Sequence, residues 1–321
     1  MTYKTETMKA IILKEFGSTD QLQRQELQIP EIKDQEVLIK VKAISINPVD
    51  IKTREGKGAA GKIKDENPMI LGWDISGIVE VSRSEEFKAG DEVFGMVNFP
   101  GHGKAYAEYV AAPANQLALK PKQTSHTDAA AATLAALTAW QVLVDHAKIK
   151  AGDRVLIHAA AGGVGHYAVQ IAKHLGAYVI GTSSAAKKQF VLSLGADEYI
   201  DYTAGPLEQF TGNIDFVLDT IGGENIDKSL KVIKKGGTII SIPSGLREAV
   251  AEKAKAMGIN GYFTMVESSG HNMQQIARLL ENGALKSHVS QLFDFEQMAD
   301  AHLALETGRT QGKIVITVNA I

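Results

Sequence analysis

No cysteine occurs in the 321-residue chain. Its absence excludes disulfides, thiolate nucleophiles and any metal centre held by sulfur, and it agrees with a cytoplasmic home. Neither charge sign is in large excess: 34 basic against 37 acidic residues give a formal charge of −3. A general binder of nucleic acid or anionic membranes is therefore not expected. The longest run free of both charged residues and histidine, residues 129–144, is alanine-rich and too short and weakly apolar to span a bilayer, so a buried helix is expected there. Residues 1–7 are polar and charged, unlike a signal peptide, and read as a loose extension before Met8.

What the chain does have is organised around residues 153–184, DRVLIHAAAGGVGHYAVQIAKHLGAYVIGTSS. An apolar run, a glycine-alanine turn, a helix-period segment and a second apolar run follow in that order. Strand, tight turn, helix and strand within about 30 residues is the unit that binds dinucleotides. Ala160, Gly162 and Gly165 form an A-x-G-x-x-G spacing, with Gly163 and Val164 between them. Gly162 and Gly163 let backbone N–H groups approach a pyrophosphate, and Gly165 lets the helix lie close to the strand. Val164, Ala168, Ile171, Ala172 and Leu175 make one apolar stripe, and Gly176 stops the helix.

Around this unit, residues 8–13, 37–46, 75–81 and 90–96 read as strands between Pro- and Gly-marked turns, and nothing before residue 125 has a long helical period. A β-rich module is expected over 1–124. Helical patterning begins at Thr127, as N-cap, and runs to about His146. Strands are expected at 154–159, 178–182, 215–219 and 237–242, joined by helices as in a doubly wound parallel sheet over 125–265. Residues 266–321 end on GKIVITV, a strand able to rejoin the first module.

Two signals carry no function. GKGAAGK, residues 56–62, approaches a phosphate loop, but Ile63 replaces the Ser or Thr that would hold Mg²⁺, so a flexible surface loop is expected. His158, His166 and His174 flank the glycine unit without a partner set, and structural roles are expected for them.

The motifs SINPVDIKTREG (45–56), ILGWDISGIVE (70–80), LTAWQVL (137–143), HAAAGGVG (158–165), SLGADEYIDY (193–202), DTIGG (219–223) and GRTQGKIVI (308–316) together resemble the medium-chain dehydrogenase/reductase superfamily, in its zinc-independent quinone oxidoreductase and enone reductase branch. The resemblance implies an α/β fold: a β-rich, GroES-like catalytic domain plus a doubly wound Rossmann domain, with the active site in the cleft between them. It also implies a homodimer through an edge strand of the cofactor sheet, expected at 237–242. The superfamily's alcohol dehydrogenases hold zinc through Cys and His on the early loops. Asn47 and Trp73 stand at those places here, and neither supplies a thiolate or imidazole.

An NAD site usually places an acid about 20 residues beyond the glycines, on the ribose hydroxyls. Here that strand ends in Gly181-Thr182-Ser183-Ser184, followed by Lys187 and Lys188. Hydroxyls and a cation suit a 2′-phosphate, so NADPH is expected. The family pattern assigns the phosphate to Ser184, Lys187 and Tyr202, with Ser183 beside them and Lys188 as the substitute. It implies nicotinamide or acceptor contacts, and a catalytic role, for Asn47 and Lys52. Further cofactor contacts are implied at Thr138, Ile242, Phe263, Arg309 and Lys313. The implied reaction passes a hydride to a quinone or to the C=C of an α,β-unsaturated carbonyl. Reduction of an enoyl thioester and a non-enzymatic NADPH-binding role stand as alternatives.

Overall fold

The computed structural model describes residues 7–246 and 249–318. The loose extension expected before Met8 lies, apart from Thr7, outside the described residues. The chain divides into two compact units, one of Met1–Leu134 with Glu267–Ile321 and the other of Ala135–Val266.

In the first unit, Glu36–Ile46 is the longest strand. It is Val/Ile-rich and buried along both faces, as a central strand must be. It pairs antiparallel with Asp74–Ser82, with Tyr109–Pro113 and, near its end, with Lys313–Thr317. Val289–Asp294 lies beyond Lys313–Thr317, while Glu92–Met96 and Leu117–Leu119 extend the other side. A smaller sheet joins Leu22–Gln28, Thr7–Leu13 and Met69–Ile70. The return of the last strand sets Ile314 opposite Ile46, which brings Lys313 to the loop after Ile46.

Three expectations for this unit need correction. A seven-residue helix, Pro48–Arg54, does occur before residue 125. Asn47 at its N-cap, Pro48 at its first position and Asp50 at its third are a start signature that works without any long apolar period. The 56–62 stretch is not a flexible surface loop. It leads into a short helix, Ala60–Ile63, pinned by burial of Ala59, Ala60 and Ile63 and by the Ala59 N–H donating to Thr53 Oγ1 (3.2 Å). The helix expected from Thr127 is capped by Ser125, whose Oγ accepts the Asp128 N–H (3.0 Å). It ends at Ala131, and its buried alanines pack on Ala43 and Val315, so it belongs to the first unit.

A second helix, Leu134–Trp140, continues as a π-helical turn, Gln141–His146. The second unit then builds a six-stranded, all-parallel sheet. Its order is Glu198–Asp201, Tyr178–Ser183, Arg154–Ile157, Ile214–Asp219, Ile233–Ser241, Asn260–Phe263. Numbered along the chain this is 3-2-1-4-5-6, the doubly wound dinucleotide order. The two outer strands are four residues each and escaped the sequence pattern. The strand expected at 237–242 is Ile233–Ser241 and lies inside the sheet, so the edge on that side is Asn260–Phe263. Among the described residues no helix is long and apolar enough to cross a membrane.

Candidate functional site

Strand Arg154–Ile157 leads into the glycine turn. Ala160 N–H donates to the Thr182 carbonyl (2.9 Å), tying the turn to the neighbouring strand, and Ala159 takes a left-handed φ of +46°. Gly162 is the N-cap of helix Gly163–His174. The amides of Gly163, Val164 and Gly165 open that helix and have no partner within it, which makes its start an anion-binding end. A Cβ on Gly165 would collide with the Ala159 carbonyl oxygen, so only glycine permits this approach of helix to strand. The apolar stripe is wider than expected, since Tyr167 and Val169 are buried as fully as Ala168 and Ile171. Gly176 ends the helix with φ +83°.

At the carboxyl end of the next strand, Ser183 pairs with Asp201, which brings Ser183 and the three expected phosphate residues, Ser184, Lys187 and Tyr202, onto one sheet corner. Ser183 is buried and its Oγ donates to the Ser184 carbonyl (3.2 Å). Lys187 closes a single turn on Ser184, half-buried, and burial depresses its ammonium below the usual lysine range. The Tyr202 N–H donates to the Ser183 carbonyl (3.4 Å) and its ring is exposed. Asp201, the nearest acid, is bound by the Thr203 N–H (2.9 Å) and hydroxyl (2.8 Å). Lys188 opens the following helix with its Nζ over the Tyr199 ring.

Asp219 was missed as a functional side chain, although DTIGG was visible. Its buried carboxylate accepts from the Ile221 and Gly222 amides, Asn225 Nδ2 (2.9 Å) and Ser241 Oγ (2.7 Å), fixing the turn after its strand. His158 is structural, as expected. It lies between Thr182 Oγ1 (3.1 Å) and Ser229 Oγ (2.9 Å), and burial pushes its imidazole down to about 4 against the pull of Asp219. His166 Nδ1 meets the Gly162 carbonyl (2.9 Å), and His174 is exposed at the helix end. Thr138 is buried on Leu134–Trp140. Ile242 and Phe263 end neighbouring strands, both half-buried, with the Ile242 N–H on the Asp219 carbonyl (3.0 Å).

The first unit holds a buried polar cluster that the sequence did not announce. Asn47 Nδ2 donates to Asp74 Oδ2 (2.8 Å), the Asn47 backbone N–H donates to Asp50 Oδ2 (2.7 Å), and Lys313 Nζ donates to Asn47 Oδ1 and to the Ile46 carbonyl (3.0 Å). All four residues are almost wholly inaccessible. Burial, then the Asp74 charge, raise the Asp50 carboxyl from 3.8 to about 7, against the Asn47 N–H, Lys313 and Tyr106. Burial also raises Asp74 and lowers Lys313.

Behind Asp50 the bonds have a definite sense. Arg54, ion-paired with Glu306 (2.6 Å), can only donate, so His302 Nδ1 accepts from it (3.4 Å) and the imidazole proton sits on Nε2. Nε2–H then donates to the Tyr106 oxygen (2.8 Å), and burial, then the nearby Asp50 charge, raise the Tyr106 hydroxyl well above its usual range, while Asp50 Oδ1 is buried with no hydrogen-bond partner among the described residues. Burial holds His302 neutral, down to about 3.

The expected stretch Arg309–Lys313 is thus not one surface: Arg309 is exposed and Lys313 is deep in the cluster. Lys52 is half-buried on the Pro48–Arg54 helix, and burial followed by the Lys57 charge lower its ammonium. Trp73 is a packing residue, with its Nε1–H on the Gly101 carbonyl (2.7 Å) and Phe99 edge-on at 5.2 Å. Among the described residues no group of three or more His, Cys, Asp or Glu is placed to hold a metal ion.

Comparison with known proteins gives the family. Residues 33–122 match the alcohol dehydrogenase GroES-like domain and residues 194–316 the zinc-binding dehydrogenase family. The chain is 36% identical to 2-methylene-furan-3-one reductase of Solanum lycopersicum, over 96% of this chain and 79% of that protein. It is also 36% identical to the NADPH-dependent alkenal/one oxidoreductase of Arabidopsis thaliana chloroplasts, with the same coverage. The solved quinone oxidoreductase of Coxiella burnetii superposes with a TM-score of 0.93 at 36% identity, covering 98% of this chain and all of that one. With its 3-2-1-4-5-6 sheet and glycine turn, the chain belongs to the medium-chain dehydrogenase/reductase superfamily, in the quinone oxidoreductase and enone reductase branch, and is an oxidoreductase on an NAD(P)-binding fold.

Proposed function

We propose that the protein is an NADPH-dependent, zinc-free reductase of quinones or α,β-unsaturated carbonyls. The observation that carries the cofactor choice is the sheet corner where Ser183, Ser184, Lys187 and Tyr202 meet: the strand Tyr178–Ser183 ends without a carboxylate, and Asp201 on the neighbouring strand accepts from the Thr203 N–H and hydroxyl. A carboxylate there would repel a 2′-phosphate, whereas hydroxyls and an ammonium bind one. The glycine turn fits the pyrophosphate, because its backbone comes close only where Cβ atoms are absent.

When bound, the nicotinamide supplies a hydride. The protein's share is to orient the acceptor and stabilise the charge that gathers on its carbonyl oxygen. Asn47 fits that task, since one hydrogen of its Nδ2 goes to Asp74 and, among the described residues, the other meets no acceptor. Lys52, on the same helix, adds a cation. The zinc-free reading rests on donor chemistry: there is no cysteine, and the two places matching zinc ligands hold an amide bonded to Lys313 and an indole bonded to Gly101. The proposed dimer would form along the outer strand Asn260–Phe263. Sedimentation showing only monomer at micromolar protein would remove it.

Titration with NADPH and NADH tests the cofactor choice. Lys187→Ala is expected to weaken NADPH about ten-fold or more, from loss of a charge-assisted bond of roughly 1.5–3 kcal/mol, and to leave NADH unchanged. Equal binding of the two by the unaltered protein refutes it. Stopped-flow NADPH oxidation with a quinone, an alkenal and a crotonyl thioester then names the acceptor class. Flat traces with all three, despite tight NADPH binding, refute the enzymatic reading.

A further inference from the structure

An ammonium has donors and no acceptor, so Lys313 decides which way round the Asn47 amide stands. Its Nζ binds the Ile46 carbonyl and takes Asn47 Oδ1, which leaves Nδ2 facing Asp74. Asp74 in turn is held by the Leu134 backbone N–H on its other oxygen (3.0 Å). The Asn47 backbone N–H is fixed by Asp50. The side-chain amide is therefore clamped at both its oxygen and its nitrogen, its backbone is pinned by Asp50, and its remaining Nδ2 hydrogen has a single direction.

We propose that Lys313 and Asp74 are positioning residues that aim this one Asn47 N–H at the acceptor or the nicotinamide, and that Lys313 does not itself contact the cofactor. The proposal rests on the reading of Asn47 as a donor in the reduction. It reassigns Lys313, which the family resemblance places among the cofactor contacts. Stability gives the cluster little reason to exist, because ions buried this deeply cost free energy that a hydrophobic set of similar volume would not. A fixed amide direction does give one. Lys313 also sits at the start of the strand whose register with Ile46 is set by the sheet, so the clamp is anchored to rigid structure rather than to a loop.

The test uses the full chain, NADPH and an acceptor that the unaltered protein reduces. Lys313→Met and Asp74→Asn are each expected to lower kcat about ten-fold or more while the NADPH Kd stays within about two-fold. In an Asn47→Ala background, Lys313→Met should cost less than about two-fold further, since residues acting through one another are not additive. Lys313→Arg, which keeps a donor, should recover part of the loss. A ten-fold weaker NADPH Kd with kcat retained makes Lys313 a cofactor contact and overturns the proposal, as do losses that multiply in the double variant. If Lys313→Met does not fold, Asp74→Asn carries the same comparison. If the unaltered protein turns over no acceptor, the functional reading falls by itself. The clamp is then read from the Asn47 side-chain NH₂ resonances, expected as two resolved signals that move in Asp74→Asn; signals unmoved by that change overturn it.

Discussion

Replacing Asp50 by Asn removes one titrating carboxyl from a buried set of two carboxyls and one lysine amine. In the folded protein Asp74, Lys313 and Tyr106 face Asp50, and its carboxyl titrates at about 7 instead of 3.8. Between those values the unfolded chain has released the proton and the folded one keeps it. The folded state thus binds more protons, so stability falls as pH rises through this window. At about 1.4 kcal/mol per pH unit, the interval amounts to about 4 kcal/mol lost between pH 4 and pH 8. The variant lacks this loss, because an amide does not titrate. The stability of Asp50→Asn relative to the unaltered protein should therefore climb by up to about 4 kcal/mol across that range, most steeply from about pH 4.5 to 6.5. Urea unfolding of both proteins at half-unit steps of pH measures it, the other titrating groups largely cancelling in the difference. A difference that stays level with pH means Asp50 is ionised throughout, and the burial argument fails.

Other outcomes follow from the same geometry. His158→Gln should flatten the acid side: the native imidazole stays neutral to about 4, so His158 contributes stability that is lost as pH falls from 6.5, about 3 kcal/mol in all. Acid unfolding of both proteins checks it, and identical pH profiles refute it. Gly165→Ala drives a methyl into the Ala159 carbonyl and should cost about 1–3 kcal/mol and most binding of the nicotinamide dinucleotide, read by thermal melting and titration; unchanged values refute the close-packed turn. Trp73→Phe strands the Gly101 carbonyl and should destabilise by about 1–3 kcal/mol in urea, with no change in metal content by mass spectrometry.

The dinucleotide half was legible because its signals are local. Three small residues at fixed spacing, a helix period and a strand ending without an acid all lie within 32 residues of sequence. Thr127 has a cap's chemistry, and only the approach of the Asp128 N–H to Ser125 Oγ shows that the cap lies two residues earlier. The outer strand Asn260–Phe263 holds a glycine and too few residues to show alternation. The Asn47 clamp was illegible for a stronger reason. Asn47 meets Asp74 across 27 residues and Lys313 across 266, so no periodicity or motif can encode the contact. The resemblance found all three neighbourhoods, but not that their side chains meet.

The strand Lys313–Thr317 lies between Val289–Asp294 and Glu36–Ile46, although it follows both of them in the sequence. The second unit is one unbroken stretch and can close while synthesis continues. The first unit has to wait, its early strands exposed until the final one slots in alongside Glu36–Ile46. A nascent chain halted before residue 313 would thus carry a finished nucleotide half and an unfinished partner with two bare carboxylates, a species for chaperones and proteases to recognise.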